Sequence, residues 1–356
     1  MERYVGLDVH SKRSSFAIQD AAGKLIGEGS VTTTIEGFEG MRQRYNLPPG
    51  TPVALETGNV SFHVSDMLSA LGLKPLVIDA AEVRAKASRP KQKSDRRDAF
   101  ELCEGLRRDQ YRKIVSVPPK DIRQAREMLS RRRHFVGLGT SQVNAVKRLL
   151  RSVGLGAFVR GLRSKKAWER LITRIEGDPI LQAHVASHHA VWLCAREQVL
   201  KIEDQLQTTM AGRQPDLDRL MTVPGVGPVV ARTFMAVVYD ARRFPDAKRM
   251  ASYAGLVPTT FQSADRNRQG HITRCGSAEL RSMLCEAAQH ARRATNPLKP
   301  FFSRVFFKRG YRMAIVAVAH RICRILYAIL RNGTGFEPSK LSVKDSQTTL
   351  VAVGQN

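Results

Sequence analysis

Acidic residues are scarce in this sequence. The 356-residue chain has 32 aspartates and glutamates against 58 lysines and arginines, a formal charge of +26. A surface of that kind repels itself unless a polyanion neutralises it, and nucleic acid is the obvious partner. Cysteine is sparse as well. The five cysteines (Cys103, Cys194, Cys275, Cys285, Cys323) are odd in number, scattered, and contain no Cys-x-x-Cys pair, which argues against a disulfide framework or a zinc site and for a reducing cytoplasm. Long uncharged apolar runs are missing too. The most apolar stretch, Ala314 to Leu330, is interrupted by His320, Arg321 and Arg324, short of the roughly 18 uncharged residues that a membrane span needs. No membrane partner, secretory signal or long-period repeat is therefore expected.

What is present is a folded, unevenly charged chain. Its length is a prior for two or three domains, and 42% hydrophobic residues is too many for a disordered basic tail. Residues 120–170 hold 14 basic and 3 acidic residues, and residues 287–336 hold 10 basic and none acidic. Those two stretches carry most of the excess charge.

Hydrophobic periodicity divides the chain. Val5, Leu7 and Val9 alternate with Tyr4, Gly6 and Asp8, the period-2 pattern of a half-buried strand. Phe16–Asp20 and Leu25–Thr32 read as two further strands of an antiparallel meander, followed by a helix from Ile35 to Tyr45. A strand at Pro52–Glu56, a helix to Leu71 and a strand at Leu76–Ile78 complete an α/β layer. After a basic loop from Lys86 to Lys93, Ser94 can cap a helix opening with Asp95 and Asp98. Two long helical segments follow, Ile122–Arg151 and Ile180–Met210. In the second, Val185, His188, Trp192, Ala195, Val199, Ile202 and Leu206 recur at alternating spacings of three and four, which reads either as a self-associating coiled coil or as an ordinary bundle helix. From Gln214 a mainly helical region begins, and the polar tail 339–356 is expected to fray.

Four carboxylates stand at places where chemistry is done. Asp8 and Glu56 end strands, and Asp95 and Asp98, three apart, share one helix face. Carboxylate oxygens suit hard cations such as Mg2+, and a pair of such ions can support phosphoryl transfer. Each acid alone has an ordinary reading: a turn cap, a solvated strand end, or a partner of the helix dipole. Val223-Pro224-Gly225-Val226-Gly227 reads either as the hairpin of a helix-hairpin-helix, whose glycine amides approach phosphate, or as a plain turn. Ser263, in a loop beside Arg266, Arg268, His271 and Arg274, is either an unremarked loop residue or a nucleophile on a phosphodiester with arginines to neutralise it. Arg131, Arg132, Arg133, Lys165 and Lys166 are candidate contacts to a nucleic-acid backbone, or simply a solvated face.

In this order the motifs resemble the insertion-sequence transposases named for an Asp-Glu-Asp-Asp set. Gly6-Leu7-Asp8 is similar to the first-strand acid, Leu55-Glu56-Thr57-Gly58 to the glutamate motif, and Lys93-Ser94-Asp95-Arg96-Arg97-Asp98-Ala99 to the paired aspartates. Pro224-Gly225-Val226-Gly227, Ala254-Gly255-Leu256-Val257-Pro258, and Gly270 to Gly276 with Leu280-Arg281 resemble the C-terminal signatures. Ser263 stands where the family has its catalytic serine, and Ala264 departs from the glycine expected next to it.

The resemblance implies a RuvC-like (ribonuclease H type) α/β domain over residues 1–115, a basic helical and coiled-coil segment over 116–213, a mainly α-helical transposase domain over 214–338, and a flexible tail over 339–356. It implies a recombinase that binds Mg2+, with Mn2+ as a substitute, through Asp8, Glu56, Asp95 and Asp98, and attacks DNA with Ser263. The expected partners are double-stranded DNA at element ends and target, a structured guide RNA encoded by the element, and further copies of the chain, as dimer or tetramer. The active site would combine the acidic domain of one protomer with the serine domain of another, in a nucleoid-associated setting. Two other readings remain from the residues: a metal-dependent, junction-resolvase-like nuclease using water as nucleophile, and a non-catalytic nucleic-acid scaffold.

Overall fold

The computed structural model describes residues 2–86, 94–159, 161–263, 266–273 and 275–341; Lys93, Ala264, Arg274 and the tail from residue 342 lie outside them. Two units are distinguished, Met1–Pro118 and Pro119–Asn356.

In the first unit, β1 (Arg3–Val9), β2 (Arg13–Asp20) and β3 (Leu25–Thr32) form an antiparallel meander. Helix α1 (Ile35–Arg44) is capped by the Thr34 side chain accepting from Gly37 N–H. There follow β4 (Pro52–Glu56), α2 (Ser61–Ala70), β5 (Lys74–Ile78), α3 (Ala80–Lys86) and α4 (Asp95–Arg107). The sheet order is β3-β2-β1-β4-β5, with β1–β4 and β4–β5 parallel. This mixed α/β sheet is consistent with a ribonuclease H-like domain.

The two faces of the sheet are built differently. On one, Val5, Leu7, Phe16, Ile18, Val53 and Leu55 pack with Phe38 and Met41 of α1 and Val64 and Leu68 of α2. On the other, three neighbouring strands present small residues in register: Ala17 pairs with Gly6, and Gly6 with Ala54. Helix α4 lies on that bed, its Ala99, Leu102 and Cys103 buried.

The second unit contains α5 (Lys120–Ser152), α6 (Lys165–Arg174), α7 (Pro179–Thr209), α8 (Gln214–Met221), α9 (Pro228–Val238), α10 (Ala247–Tyr253), α11 (Ala278–Ala288), α12 (Lys299–Arg309) and α13 (Tyr311–Asn332). A two-stranded hairpin, β6 (Pro258–Ser263) with β7 (Arg266–Ile272), interrupts the helices. Ile122 and Leu129 of α5 and Ile202 and Leu206 of α7 belong to the core that α8 to α13 build, so the start of α5 and the end of α7 share that core. Further along the α5–α7 pair, Val143, Val146 and Leu150 of α5 enclose Trp168 with Val185 and Trp192.

That packing corrects the self-association reading of the α7 seam. Val185, Trp192, Ala195, Ile202 and Leu206 are all buried within the unit, and His188 Nδ1 lies 2.7 Å from Gln142 Oε1 of α5. The partner is the chain's own α5, whose Ile122, Ala125, Leu129, Gly139, Val143, Val146 and Leu150 are also buried. Gly139 faces the Trp192 indole, and a Cβ placed there would meet it at 3.5 Å, an ordinary van der Waals contact. Helix α13 is long and apolar enough to cross a membrane, yet Ala314, Val318, Ile322 and Leu326 on it are fully buried in this unit.

Candidate active site

Backbone contact, more than side-chain packing, sets the acidic site. A Cβ on Gly6 would lie 2.1 Å from the Ala99 carbonyl oxygen and 2.3 Å from the Cys103 amide nitrogen, so only glycine allows α4 this close to β1. Further along, Cys103 Sγ meets the Tyr4 carbonyl at 3.2 Å, and burial pushes this thiol up to about 12. The contacts of residues 99 and 103 with residues 6 and 4 make α4 run antiparallel to β1. Eight helical residues advance ~12 Å and four strand residues ~13 Å, which carries the start of α4 to the end of β1. Ser94 caps that start, its hydroxyl accepting from Arg97 N–H.

Asp8 and Glu56 reach the same place by strand periodicity. Asp8 follows Gly6 by two residues and Glu56 follows Ala54 by two, so both emerge on the α4 face. The parallel β1–β4 ladder runs as far as Leu7 with Leu55, and each acid stands one residue beyond it. Burial raises the Asp8 carboxyl above its ordinary value; His10 lowers it, and the negative charges of Asp95 and Asp98 raise it further. The site thus brings Asp8, Asp95 and Asp98 within electrostatic reach of one another, with Glu56 on the neighbouring strand end.

His10 belongs to the site and went unremarked in the sequence. Its Nε2 lies 3.2 Å from Asp8 Oδ2 and 3.6 Å from Asp95 Oδ1, and ligand atoms of Asp8, His10 and Asp95 lie within 4.8 Å of one another. The available signal was its position two residues after Asp8. The arginines between the two aspartates have acidic partners elsewhere: Arg96 pairs with Glu28 of β3, and Arg97 Nε with Glu101 Oε1 at 3.2 Å.

Ser263 ends β6 and pairs in register with Arg266 of β7, while Arg268 pairs with Phe261. The expected loop is therefore a β-hairpin. A polar sequence with little apolar alternation hid it, and backbone pairing defines it instead. Arg274 is outside the described residues.

The remaining nucleic-acid candidates are distributed. Arg131 and Arg133 are exposed, Arg133 lying 3.8 Å from Glu279. Lys165 and Lys166 open α6 and are exposed. Arg132 differs from them in having a close acidic partner within the unit: its guanidinium binds Glu203 of α7 at 2.7 Å. Gly225 has a backbone role of its own. Its φ is 98°, and a Cβ there would lie 2.7 Å from the Ala287 carbonyl oxygen, so it makes a tight turn against α11. Gly227, in contrast, caps α9 with no atom near its Cβ position.

Two family models match the chain in order. The IS110-type DEDD transposase model covers residues 5–154, and the transposase IS116/IS110/IS902 family model covers residues 217–303. Among curated proteins, the transposase named y4pF/y4sB of Sinorhizobium fredii is 27% identical over 305 residues, 83% of this chain and 77% of the relative. A family 20 transposase of Pseudomonas aeruginosa is 27% identical over 253 residues, 69% of this chain and 74% of its own length. The transposase for insertion sequence element IS1328 of Yersinia enterocolitica is 23% identical over 293 residues, 81% and 86% of the two chains.

Proposed function

The chain belongs to the IS110-type DEDD transposases, and from that premise we propose that it cuts and rejoins insertion-sequence DNA through a serine-linked intermediate, with Mg2+ held by Asp8, Glu56, Asp95 and Asp98. The observation that carries this reading is the convergence of Asp8 with Asp95 and Asp98 where α4 meets the end of β1. The oxygen-rich donor set suits a hard cation, and a cation there would relieve the repulsion that Asp95 and Asp98 exert on Asp8. When bound, Mg2+ would neutralise phosphate oxygens and stabilise the attacking and departing oxygens.

In the proposed reaction Ser263 Oγ forms a bond to the scissile phosphorus while the bond from phosphorus to one deoxyribose oxygen breaks. The seryl proton leaves to solvent, and the departing oxygen takes up a proton to become a hydroxyl. Attack by a hydroxyl of the exchanging strand then restores a phosphodiester and frees the serine. Arg266 and Arg268, on the strand paired with Ser263, are the proposed partners of the phosphate, with Arg274 following them in the sequence. Double-stranded DNA is the substrate, and an element-encoded guide RNA pairing with donor and target enters through the family resemblance, as does assembly from two or more protomers.

The test incubates the full chain with its co-purifying nucleic acid, Mg2+ and matching DNA, and looks for a protein–DNA adduct that survives denaturation. The expected adduct is lost in Ser263→Ala and in EDTA. Cleavage at the wild-type rate by Ser263→Ala, with no adduct, would replace this reading by that of a nuclease using water.

A further inference from the structure

Helices α12 and α13 meet at an elbow that exposes aromatic rings and cations together. Gly310 makes the bend at a φ of 80°. Around it runs a ladder of rings from the core to solvent. Phe302, buried, stacks on Phe306 at 5.8 Å between centroids and meets Tyr311 edge-on at 6.4 Å. Phe306 meets Phe307 edge-on at 5.5 Å. Phe307 is 83% exposed, and Met313 beyond the bend is 57% exposed. Phe306 and Tyr311 are also exposed, at 39% and 40%, so the rings form a patch rather than a single bare side chain, and such patches mark contact sites.

The charges that flank the ladder in sequence are of one sign. Lys308, Arg309 and Arg312 flank it in sequence and are exposed, and the Arg292 guanidinium lies 5.6 Å from the Tyr311 ring. Residues 287–336 contain ten basic side chains and no acid. A second copy of the same surface would meet it with like charge. A polyanion with flat apolar groups meets both features at once: its phosphates answer the cations and its bases stack on the ring.

We propose that the α12–α13 elbow is a stacking platform for unpaired bases of single-stranded nucleic acid, with Phe307 as its outermost ring. In a duplex the bases are already stacked on each other, so the surface discriminates strand state rather than sequence. The proposal rests on the transposase reading only in that this enzyme acts on nucleic acid. It requires neither Ser263 nor the carboxylates.

The experiment measures fluorescence anisotropy of labelled oligothymidylate, oligouridylate and a DNA duplex of equal length, with the full chain in EDTA so that no chemistry intervenes. Phe307→Ala should weaken single-strand binding roughly tenfold and leave duplex binding unchanged, and Phe307→Trp should restore it with emission quenched by the oligomer. A loss for oligouridylate alone assigns the platform to RNA, and a loss for oligothymidylate alone to an unpaired DNA strand. Thermal melting guards against misfolding, which exposure of Phe307 makes a small concern. Unchanged single-strand affinity, or an equal loss for duplex, overturns the proposal. So does a fall in molar mass by light scattering, or lost binding to anionic vesicles, with single-strand affinity intact.

Discussion

Gly6 of β1 and Ala99 of α4 touch through their backbones: a Cβ on Gly6 would lie 2.1 Å from the Ala99 carbonyl oxygen. Neither atom belongs to a flexible side chain, so the helix itself would have to retreat. Gly6→Ala is expected to cost at least the ~1–3 kcal/mol of an overpacked core and to draw Asp95 and Asp98 away from Asp8. Denaturant unfolding monitored by circular dichroism measures the first effect, and calorimetric titration with Mg2+ the second. Wild-type stability would mean that α4 does not rest on this strand.

Asp8 gives a pH dependence with a definite sign. Its carboxyl is raised by burial and by Asp95 and Asp98, against the pull of His10, so the fold favours the protonated form. The resulting stabilisation is complete below the ordinary carboxyl value and lost as pH rises through the raised one. At neutral pH the ionised Asp8 therefore costs stability in the metal-free protein. Asp8→Asn should melt higher than wild type at pH 7 in EDTA, with the difference fading in acid, while DNA cleavage is abolished. A lower melting temperature for Asp8→Asn at pH 7 would contradict this.

Much of the first unit was legible because its signals are local. Alternation at residues 4–9 marks β1, Ser94 marks the start of α4, and the strand-end acids announce themselves in an otherwise basic chain. The small bed of Ala17, Gly6 and Ala54 was not legible, since it exists only after three strands are put in register. His10 escaped because a histidine after a strand has no meaning until α4 arrives beside it. In the second unit periodicity identified the α7 seam correctly and could not name its partner. The complementary repeat was there, in Ile122, Ala125, Leu129, Gly139, Val143, Val146 and Leu150, broken to the eye by Arg132 and Gly139.

The seam's new assignment changes what its mutation does. Ile202 is buried in the core shared by α5 and α7, whereas Leu200 is 58% exposed on the same helix. Ile202→Ala should destabilise the chain by roughly 2–5 kcal/mol, and Leu200→Asp should change stability by no more than ~0.5 kcal/mol. Light scattering of Ile202→Ala below its melting temperature should report the wild-type mass. Dissociation without loss of stability would return the seam to an interface between chains.

His10 supplies the final prediction, which concerns metal preference. Its Nε2 sits 3.2 Å from Asp8 Oδ2 and 3.6 Å from Asp95 Oδ1, close enough to join the two carboxylates around one ion. Imidazole contributes more to binding Mn2+ than Mg2+, because the transition ion accepts nitrogen ligands readily and Mg2+ keeps to oxygen. If His10 ligates, His10→Ala should lower Mn2+ affinity roughly tenfold, the lower end of what losing a group that supports a metal site costs, with a much smaller change for Mg2+. Electron paramagnetic resonance of bound Mn2+ should also lose its nitrogen coupling. If His10 instead only shields the aspartates from one another, both affinities should move together and no nitrogen coupling should be seen in the wild type.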